Sequence, residues 1–195
     1  KASGHVGGFS DPLVEDIKTK KRYRADHLLE DQGIDPKGMT LAQMDTLIKE
    51  KGIKSPEKNP LGDVRQFNMM FKTHVGATED ESAISYLRPE TAQGMFVNFK
   101  NIVDSFHPKM PFGMAQIGKA FRNEITPGNF TFRTREFEQI EIEYFCAPSQ
   151  ADEKYKEWIE ARYNWYINLG IKKENLKVRP HEKDELAHYA KACSD

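Results

Sequence analysis

The sequence predicts an α+β domain in which helices flank an antiparallel sheet. Two runs of alternating polar and apolar residues, 121–125 and 130–145, are separated by the turn-forming stretch TPGN at 126–129, which favours a hairpin. Apolar residues recur at helical spacing in two other regions, 95–106 and 155–169. Strands that form hairpins, with helices between them, are typical of the α+β class.

The chain before these runs begins with turns and a predicted insertion. Residues 1–30 combine glycine-rich turns with a basic stretch and the start of a short helix. Residues 31–62 are polar and punctuated by Gly and Pro, which predicts a small insertion. Inside it, Thr40 and Gln43 form a capping box ahead of an apolar stripe, so we predict one helix that stops at Gly52.

Further strands and helices are predicted around the hairpin. Residues 65–73 and 84–87 predict two short strands, and a helix is expected to begin near Pro89, which places Glu90 in its first turn. After the hairpin, Ser149 and Asp152 predict the cap of another helix. Its aromatic stripe at 155–169 is interpreted as buried core rather than as a base-stacking platform.

The two faces of the hairpin differ in character. Strand alternation places Arg122 and Glu124 on one side. In the second strand, four residues share one face, namely Phe137, Gln139, Glu141 and Glu143. The other face carries Ile140, Ile142 and Tyr144, and we expect this apolar face to be core and the polar face to be the candidate site.

Composition excludes several classes of protein. Lys and Arg number 29 and Asp and Glu number 30, so there is no global basic field and any RNA contact must be local; no DNA binding is expected. Two cysteines provide neither a disulfide framework nor metal-ligand spacing. A charged fraction of 30% without a long apolar run argues against membrane insertion and favours a cytoplasmic protein.

The cations of the hairpin could bind a nucleotide. The forked guanidinium of Arg122 can hold phosphate oxygens in two directions, although an ion pair with Glu124 is the structural alternative. From the residues alone, Phe137 would more often belong to the core, and Arg133 and Arg135 would be solvated loop charges.

Carboxylates are the expected partners of a cationic group in a ligand. For Glu90 the alternative is favourable placement at a helix N-terminus, and for Glu141 and Glu143 it is a solvated strand face. For Arg24, which has basic neighbours, the residues alone indicate a solvated charge. The stretch HEKDE at 181–185 lacks the second histidine of a zinc protease, and no phosphate-binding P-loop is present.

Several stretches resemble a known family. The pattern Phe-Arg-x-Glu at 121–124, followed by a loop and by Arg133-x-x-x-Phe137, resembles the second signature motif of class II aminoacyl-tRNA synthetases. Other blocks are similar to the dimeric form of glycyl-tRNA synthetase: ASGHVGGFSDP at 2–12, RYRADHL at 22–28, QFNMMFKT at 66–73, LRPETAQG at 87–94 and REFEQIEIE at 135–143. Many members carry a Cys-x-x-Cys pair where this chain has Ile17 and Lys20, so we expect no zinc there and no other metal site.

The resemblance implies a reaction and a set of site residues. It implies that glycine is activated with ATP and Mg²⁺ and passed to tRNA(Gly) by a homodimer, with Arg122 as the catalytic contact to the α-phosphate. The implied ATP-binding residues are Arg122, Asn123, Glu124, Phe132, Arg133, Arg135 and Phe137. The implied glycine-binding residues are Arg24, Glu90, Phe137 and Glu141.

The resemblance also implies that residues 1–195 are a partial catalytic domain. The family's first motif would lie upstream and its third beyond Asp195, and the anticodon-binding domain would be absent as well. We therefore expect the isolated fragment to be impaired. A synthetase for another amino acid and a non-catalytic RNA-binding module are the two rival hypotheses.

Overall fold

A computed structural model describes residues 2–195, which form two compact units. Unit 1 contains the residues up to Asn101 together with Ala115–Glu143, and unit 2 contains Ile102–Met114 and Tyr144–Asp195. The helices are α1 (His5–Gly8), α2 (Ala25–Glu30), α3 (Leu41–Glu50), α4 (Ala92–Phe106) and α5 (Ala151–Asn168). The strands are β1 (Ser10–Glu15), β2 (Arg22–Arg24), β3 (Arg65–Asn68), β4 (Lys72–His74), β5 (Ile84–Tyr86), β6 (Phe112–Phe121) and β7 (Glu136–Phe145).

The strands form three small sheets. Strand β1 lies between β2 and β3, strand β4 pairs with β5, and strand β6 pairs with β7. Leu13 lies opposite Arg24, and Asp11 lies opposite Phe67, both in antiparallel register. The predicted class of antiparallel strands with helices is confirmed. The predicted strand 65–73 is instead divided into β3 and β4, because the Asn68 side chain accepts the Met70 N–H (2.8 Å) and breaks the ladder.

The core of unit 1 joins the first strands to the segment 31–62. Its buried residues are Val14, Ala25, Leu28, Leu29, Met44 and Ile48. The predicted capping box is confirmed: the Gln43 N–H donates to Thr40 Oγ1 (3.3 Å), and the Thr40 N–H donates to Gln43 Oε1 (2.8 Å). Helix α3 thus buries Met44 and Ile48 against the same core as α2.

A buried carboxylate fastens this segment to the β1–β2 turn. Asp16 is fully buried, and its Oδ1 accepts the backbone N–H groups of Lys18 (2.9 Å) and Thr19 (2.8 Å). Its Oδ2 accepts the Ser55 hydroxyl (2.6 Å) and the Asn59 amide (3.0 Å). Burial alone would raise the pKa of Asp16, but the bond from Ser55 and the other three bonds outweigh it and hold the pKa well below its usual range.

Replacement of Asp16 by alanine should lower the midpoint of thermal unfolding by roughly 5–10 °C, because buried donors on Ser55 and Asn59 lose their acceptor. The depressed pKa means that the carboxylate stabilises the fold above the ordinary aspartate pKa of 3.8 and stops doing so as the pH falls below it. The difference between the unchanged protein and the variant should therefore be constant near neutral pH and narrow in acid. Calorimetry checks both points. Asp63→Asn is the control, since Asp63 is 84% exposed, and an equal loss there would contradict this role.

Two predicted element boundaries near the site are wrong. Strand β6 ends at Phe121, so Arg122 and Glu124 lie in the connection to β7 rather than within a strand. Helix α4 begins at Ala92, so Glu90 precedes the helix and is not in its first turn. In both places long-range backbone bonds fix the chain: the Asn123 N–H donates to Met69 O (2.8 Å), and the Phe121 N–H donates to Arg88 O (2.9 Å).

The expectation that the apolar face of β7 is core is wrong at Ile140 and Ile142. Ile140 is 68% exposed and Ile142 is 46% exposed, so the apolar face is open in the described chain. The partly buried side chains of β7 are those of the polar face, Phe137, Gln139, Glu141 and Glu143, together with Tyr144 and Phe145 at the end of the strand. Strand alternation correctly identified the residues that share a face, but along most of β7 it is the polar face that packs against the rest of the chain.

Unit 2 is built around α5, and none of its described residues is fully buried. The edge of Trp158 contacts Tyr144 at a ring separation of 5.3 Å. The prediction of a buried aromatic stripe is wrong at its C-terminal end, where Trp165 is 45% exposed and Leu169 is 62% exposed. The predicted cap is wrong too, because a 3-10 turn, Pro148–Gln150, leads into α5 and no side chain caps it. No helix within residues 2–195 has the length and apolarity to cross a bilayer.

Candidate active site

The side chain of Arg122 is held by aromatic rings and one carbonyl. Its Nε donates to Pro89 O (3.2 Å), and its guanidinium lies 5.6 Å from the ring centre of Phe9 and 5.4 Å from that of Phe137. Contacts of this kind stabilise a guanidinium by about 0.5–2 kcal/mol. Among residues 2–195, Arg122 forms no ion pair, and Glu124 pairs with Arg133 instead (3.7 Å). The structure therefore does not contain the alternative ion pair between Arg122 and Glu124.

Arg122 opens into a groove formed by the β6–β7 connection. The groove encloses about 530 Å³ and is lined by Arg122, Glu124, Thr131, Phe132, Arg133, Thr134 and Phe137. This volume is within the range of pockets that hold a small-molecule ligand. Five of the seven residues predicted for ATP thus line one concavity.

The connection closes on itself at its tip. Gly128 and Arg133 exchange two backbone hydrogen bonds (3.0 and 3.1 Å) around a turn in which Asn129 and Phe130 have positive φ. This turn leaves Phe132 82% exposed beside the groove. An exposed aromatic ring and the nearby guanidinium of Arg133 could enclose a planar base or its phosphates.

Asn123 and Arg135 do not line the groove but hold its backbone. The Arg122 N–H donates to Arg135 O (3.0 Å), and Arg135 Nε donates to Glu124 O (3.2 Å). Asn123 contributes the backbone bond to Met69 already described. Direct ATP contacts for Asn123 and Arg135 stay predictions.

A cluster of carboxylates lies beside the Arg122 groove. Glu141 Oε2 accepts the Thr91 N–H (2.7 Å) and the Thr91 hydroxyl. Glu90 Oε1 accepts the Gln93 amide (2.7 Å) and lies 3.4 Å from His5 Nε2. Glu90 precedes Thr91, which binds Glu141, and Glu143 lies two residues after Glu141 on β7, so the three carboxylates form one cluster. Burial raises the pKa of Glu143, and the negative charges of Glu141 and Glu90 raise it further.

Two side-chain oxygens in this part of the chain are buried without a hydrogen-bond donor, namely Gln93 Oε1 and Gln139 Oε1. Buried polar atoms usually have a partner, so each could accept a bond from a ligand. Gln93 was not among the predicted site residues, whereas Gln139 and Glu143 lie on the face that was predicted to be the candidate site, although neither was assigned a ligand. The sequence indicated a role for Gln139 and Glu143, because strand alternation places both on the same face of β7 as Phe137 and Glu141.

Arg24 lies on the other side of Glu124. A bond from its guanidinium to Asp26 and the charge of Asp11, 2.9 Å away, raise the pKa of Arg24. Arg24, Glu124 and Arg133 line a second cavity of about 320 Å³. The interactions of Arg24 within the described chain are not with Glu90 or Glu141, so a role for it in glycine binding stays a prediction.

One possible metal-ligand cluster occurs in unit 2. Ligand atoms of His181, Cys193 and Asp195 lie within 4.8 Å of one another. The guanidinium of Arg179 lies 3.1 Å from the Asp195 carboxylate and 3.3 Å from His181 Nε2. The Arg179 guanidinium already supplies positive charge to His181 and Asp195, so we assign no metal here.

Comparison with known proteins identifies the family of the chain. The model of the tRNA synthetase class II core domain (G, H, P, S and T) matches residues 69–193. Over its whole length, the chain is 54% identical to the glycine–tRNA ligase of Ruminiclostridium cellulolyticum, 53% to that of Alkaliphilus oremlandii and 52% to that of Geobacillus kaustophilus.

The chain spans 44% of the length of each of these relatives. The family match covers β6, β7 and the segment that holds Glu90 and Thr91. It thus includes both the groove and the carboxylate cluster, and it confirms the resemblance to class II synthetases. The chain belongs to the family of class II aminoacyl-tRNA synthetase core domains.

Proposed function

We propose that the chain carries part of the active site of a glycine–tRNA ligase. This enzyme activates glycine with ATP to glycyl-adenylate and transfers the glycyl group to the 3′ end of tRNA(Gly). The observation that carries the proposal is the position of two groups around one short segment. The Pro89 carbonyl holds Arg122 and Thr91 holds Glu141, so a phosphate-binding cation and an ammonium-binding carboxylate flank residues 89–91.

In the first step, an oxygen of the glycine carboxylate attacks the α-phosphorus of ATP. A new P–O bond forms, the bond to the β-phosphate oxygen breaks, and pyrophosphate leaves. Arg122 lacks a carboxylate partner within the described chain, so its Nη groups can stabilise the negative charge that develops on the α-phosphoryl oxygens. In the second step, a ribose hydroxyl of tRNA attacks the glycyl carbonyl, and AMP leaves.

The carboxylate cluster supplies the second half of the site. Glycine has no side chain, so recognition depends on its ammonium and carboxylate groups. Glu90, Glu141 and Glu143 offer negative charge to the ammonium, and the buried oxygen of Gln139 offers another acceptor. A paired ammonium offsets the repulsion among these carboxylates, which favours a bound cation over a vacant cluster.

The groove would hold the nucleotide. Phe137 stacks on Arg122 on one side of it, and the exposed ring of Phe132 lies at its rim. The magnesium that accompanies ATP neutralises phosphate charge. The groove has one carboxylate, Glu124, which is already paired with Arg133, so we assign no protein ligand to that ion.

The wider setting is part of the same proposal. We infer a cytoplasmic homodimer, as the resemblance implies, with tRNA bound through local contacts because the net charge of the chain is −1.

The proposal predicts that glycine alone, among the twenty standard amino acids, supports exchange of labelled pyrophosphate into ATP. The measurement uses the protein as it occurs in the cell and adds each amino acid in turn. Exchange driven by another amino acid would keep the reaction but reject the glycine assignment. Salt-dependent tRNA binding without any exchange would favour the non-catalytic RNA-binding alternative.

A further inference from the structure

Residues 89–91 connect the Arg122 groove to the carboxylate cluster, and the side chain of Arg88, which belongs to neither, holds this segment in place. Arg88 Nε donates to Lys119 O (2.7 Å), and the Arg88 carbonyl accepts the Phe121 N–H (2.9 Å). The guanidinium crosses strand β6 at Gly118, where an added Cβ would lie 2.4 Å from Arg88 Nη2. Strand β6 therefore holds Arg88 closely, and glycine leaves the space that its guanidinium needs.

Gln116 extends this connection along the same face of β6. Its amide, in the orientation that satisfies both of its groups, accepts from Arg88 Nη1 (2.8 Å) and donates to Thr91 O (3.1 Å). Thr91 is fully buried and gives both of its donors to one oxygen of Glu141, Oε2. Within residues 2–195 no group donates to Glu141 Oε1, which leaves that oxygen available to a ligand.

The same segment also sets the position of Arg122. The Pro89 carbonyl accepts from Arg122 Nε and follows Arg88 directly in the chain. The segment is short and the ring of Pro89 fixes its φ, so a displacement of Arg88 would move the Pro89 carbonyl and Thr91 together. A shift of well under 1 Å in such groups matters for catalysis.

We propose that Arg88 and Gln116 are positioning residues that orient Glu141 toward the substrate ammonium and Arg122 toward the phosphate through one hydrogen-bonded relay. This inference rests on the proposed function. It adds residues that touch neither glycine nor ATP but determine whether both are held in reacting geometry at once.

The first test displaces the Arg88 guanidinium in one variant and removes the Gln116 amide in another. Gly118→Ala should push the Arg88 guanidinium aside, and Gln116→Leu should remove both amide bonds at similar size. Each variant should raise KM for glycine about 10-fold and lower kcat of pyrophosphate exchange about 10-fold, the order expected for one lost buried hydrogen bond at each group. Gly62→Ala is the matched control, because an added Cβ there makes only ordinary contact (3.5 Å).

The second test uses Thr91, where size can be kept constant. Thr91→Val removes the hydroxyl donor, whereas Thr91→Ser keeps both donors. KM for glycine should be about 10-fold higher in the valine variant than in the serine variant. Where Gly118→Ala does not fold, this pair tests the bond between Thr91 and Glu141, and Gln116→Leu tests the link to Arg88.

The outcomes separate the inference from the proposed function. Absence of glycine-dependent exchange in the unchanged protein rejects the proposed function itself. Normal exchange in the unchanged protein, with KM and kcat kept in the variants and only the thermal midpoint lowered, makes the relay merely structural and overturns the inference. A joint change in KM and kcat, with Gly62→Ala unaffected, supports it.

Discussion

Arg122→Ala is expected to slow glycine-dependent pyrophosphate exchange about 10³-fold, with little change in the thermal unfolding midpoint. Removal of a preorganised donor to a developing oxyanion costs this order of rate, and arginines that stabilise a phosphoryl transition state contribute as much or more. Arg122 is suited to this role because two aromatic rings and one carbonyl hold it, and no carboxylate among residues 2–195 neutralises it. The folded structure loses two cation–π contacts and one hydrogen bond of a partly exposed side chain, each of which adds little to stability.

Arg122→Lys separates charge from geometry. Lysine keeps the positive charge but cannot bind two phosphate oxygens in one plane, so most of the loss should remain. Arg162→Ala is the matched control, because Arg162 also lies over an aromatic ring, Trp165, at 4.6 Å, and has no assigned role in the reaction. Exchange that is unchanged in Arg122→Ala, or equally slowed in Arg162→Ala, would reject the catalytic assignment.

The sequence predicted the groove better than it predicted the backbone that forms it. Arg122 and Glu124 were expected to share a strand face, and both line the groove, although neither lies in a strand. The position of this stretch depends on backbone hydrogen bonds to two distant residues. Met69 is far away in the sequence, and Arg135 follows the loop that connects β6 to β7. Local alternation cannot reveal such partners, because it reports only the torsions preferred by neighbouring residues.

Burial was the weakest part of the prediction. Periodicity shows which side chains share a face, but whether that face is covered depends on another element. Ile140 and Trp165 illustrate the point: their spacing is typical of core residues, and both are exposed in the described chain. By contrast, the capping box at Thr40 was predictable, because its two hydrogen bonds join residues three apart.

The relay through Arg88 could not have been read from the sequence. Its members contact one another across separations of about 25 to 50 residues, from Arg88 to Gln116 and from Thr91 to Glu141. The glycine at 118 carries no local turn signal, since its conformation is ordinary, and its importance lies in the side chain that crosses it.

Glu141→Gln should raise KM for glycine about 10²-fold while it leaves KM for ATP within about threefold, because a charge-assisted bond to the ammonium becomes a neutral one. Glutamine keeps the shape of the side chain and an oxygen that can still accept from Thr91, so the fold should be retained. The measurement is the dependence of pyrophosphate exchange on each substrate. Glu138→Gln is the control, because Glu138 lies on the exposed face of the same strand.

Compared with Arg122→Ala, the Glu141→Gln variant tests whether substrate binding and transition-state stabilisation belong to different residues of the site. If Glu141 binds the ammonium and Arg122 stabilises the transition state, the first variant changes mainly KM for glycine and the second mainly kcat. A Glu141→Gln variant that instead loses kcat and keeps KM would mean that this carboxylate acts in the chemical step. Equal effects of Glu138→Gln and Glu141→Gln would mean that the general negative charge of β7 attracts the ammonium, and that the bond to Thr91 does not select one carboxylate for it.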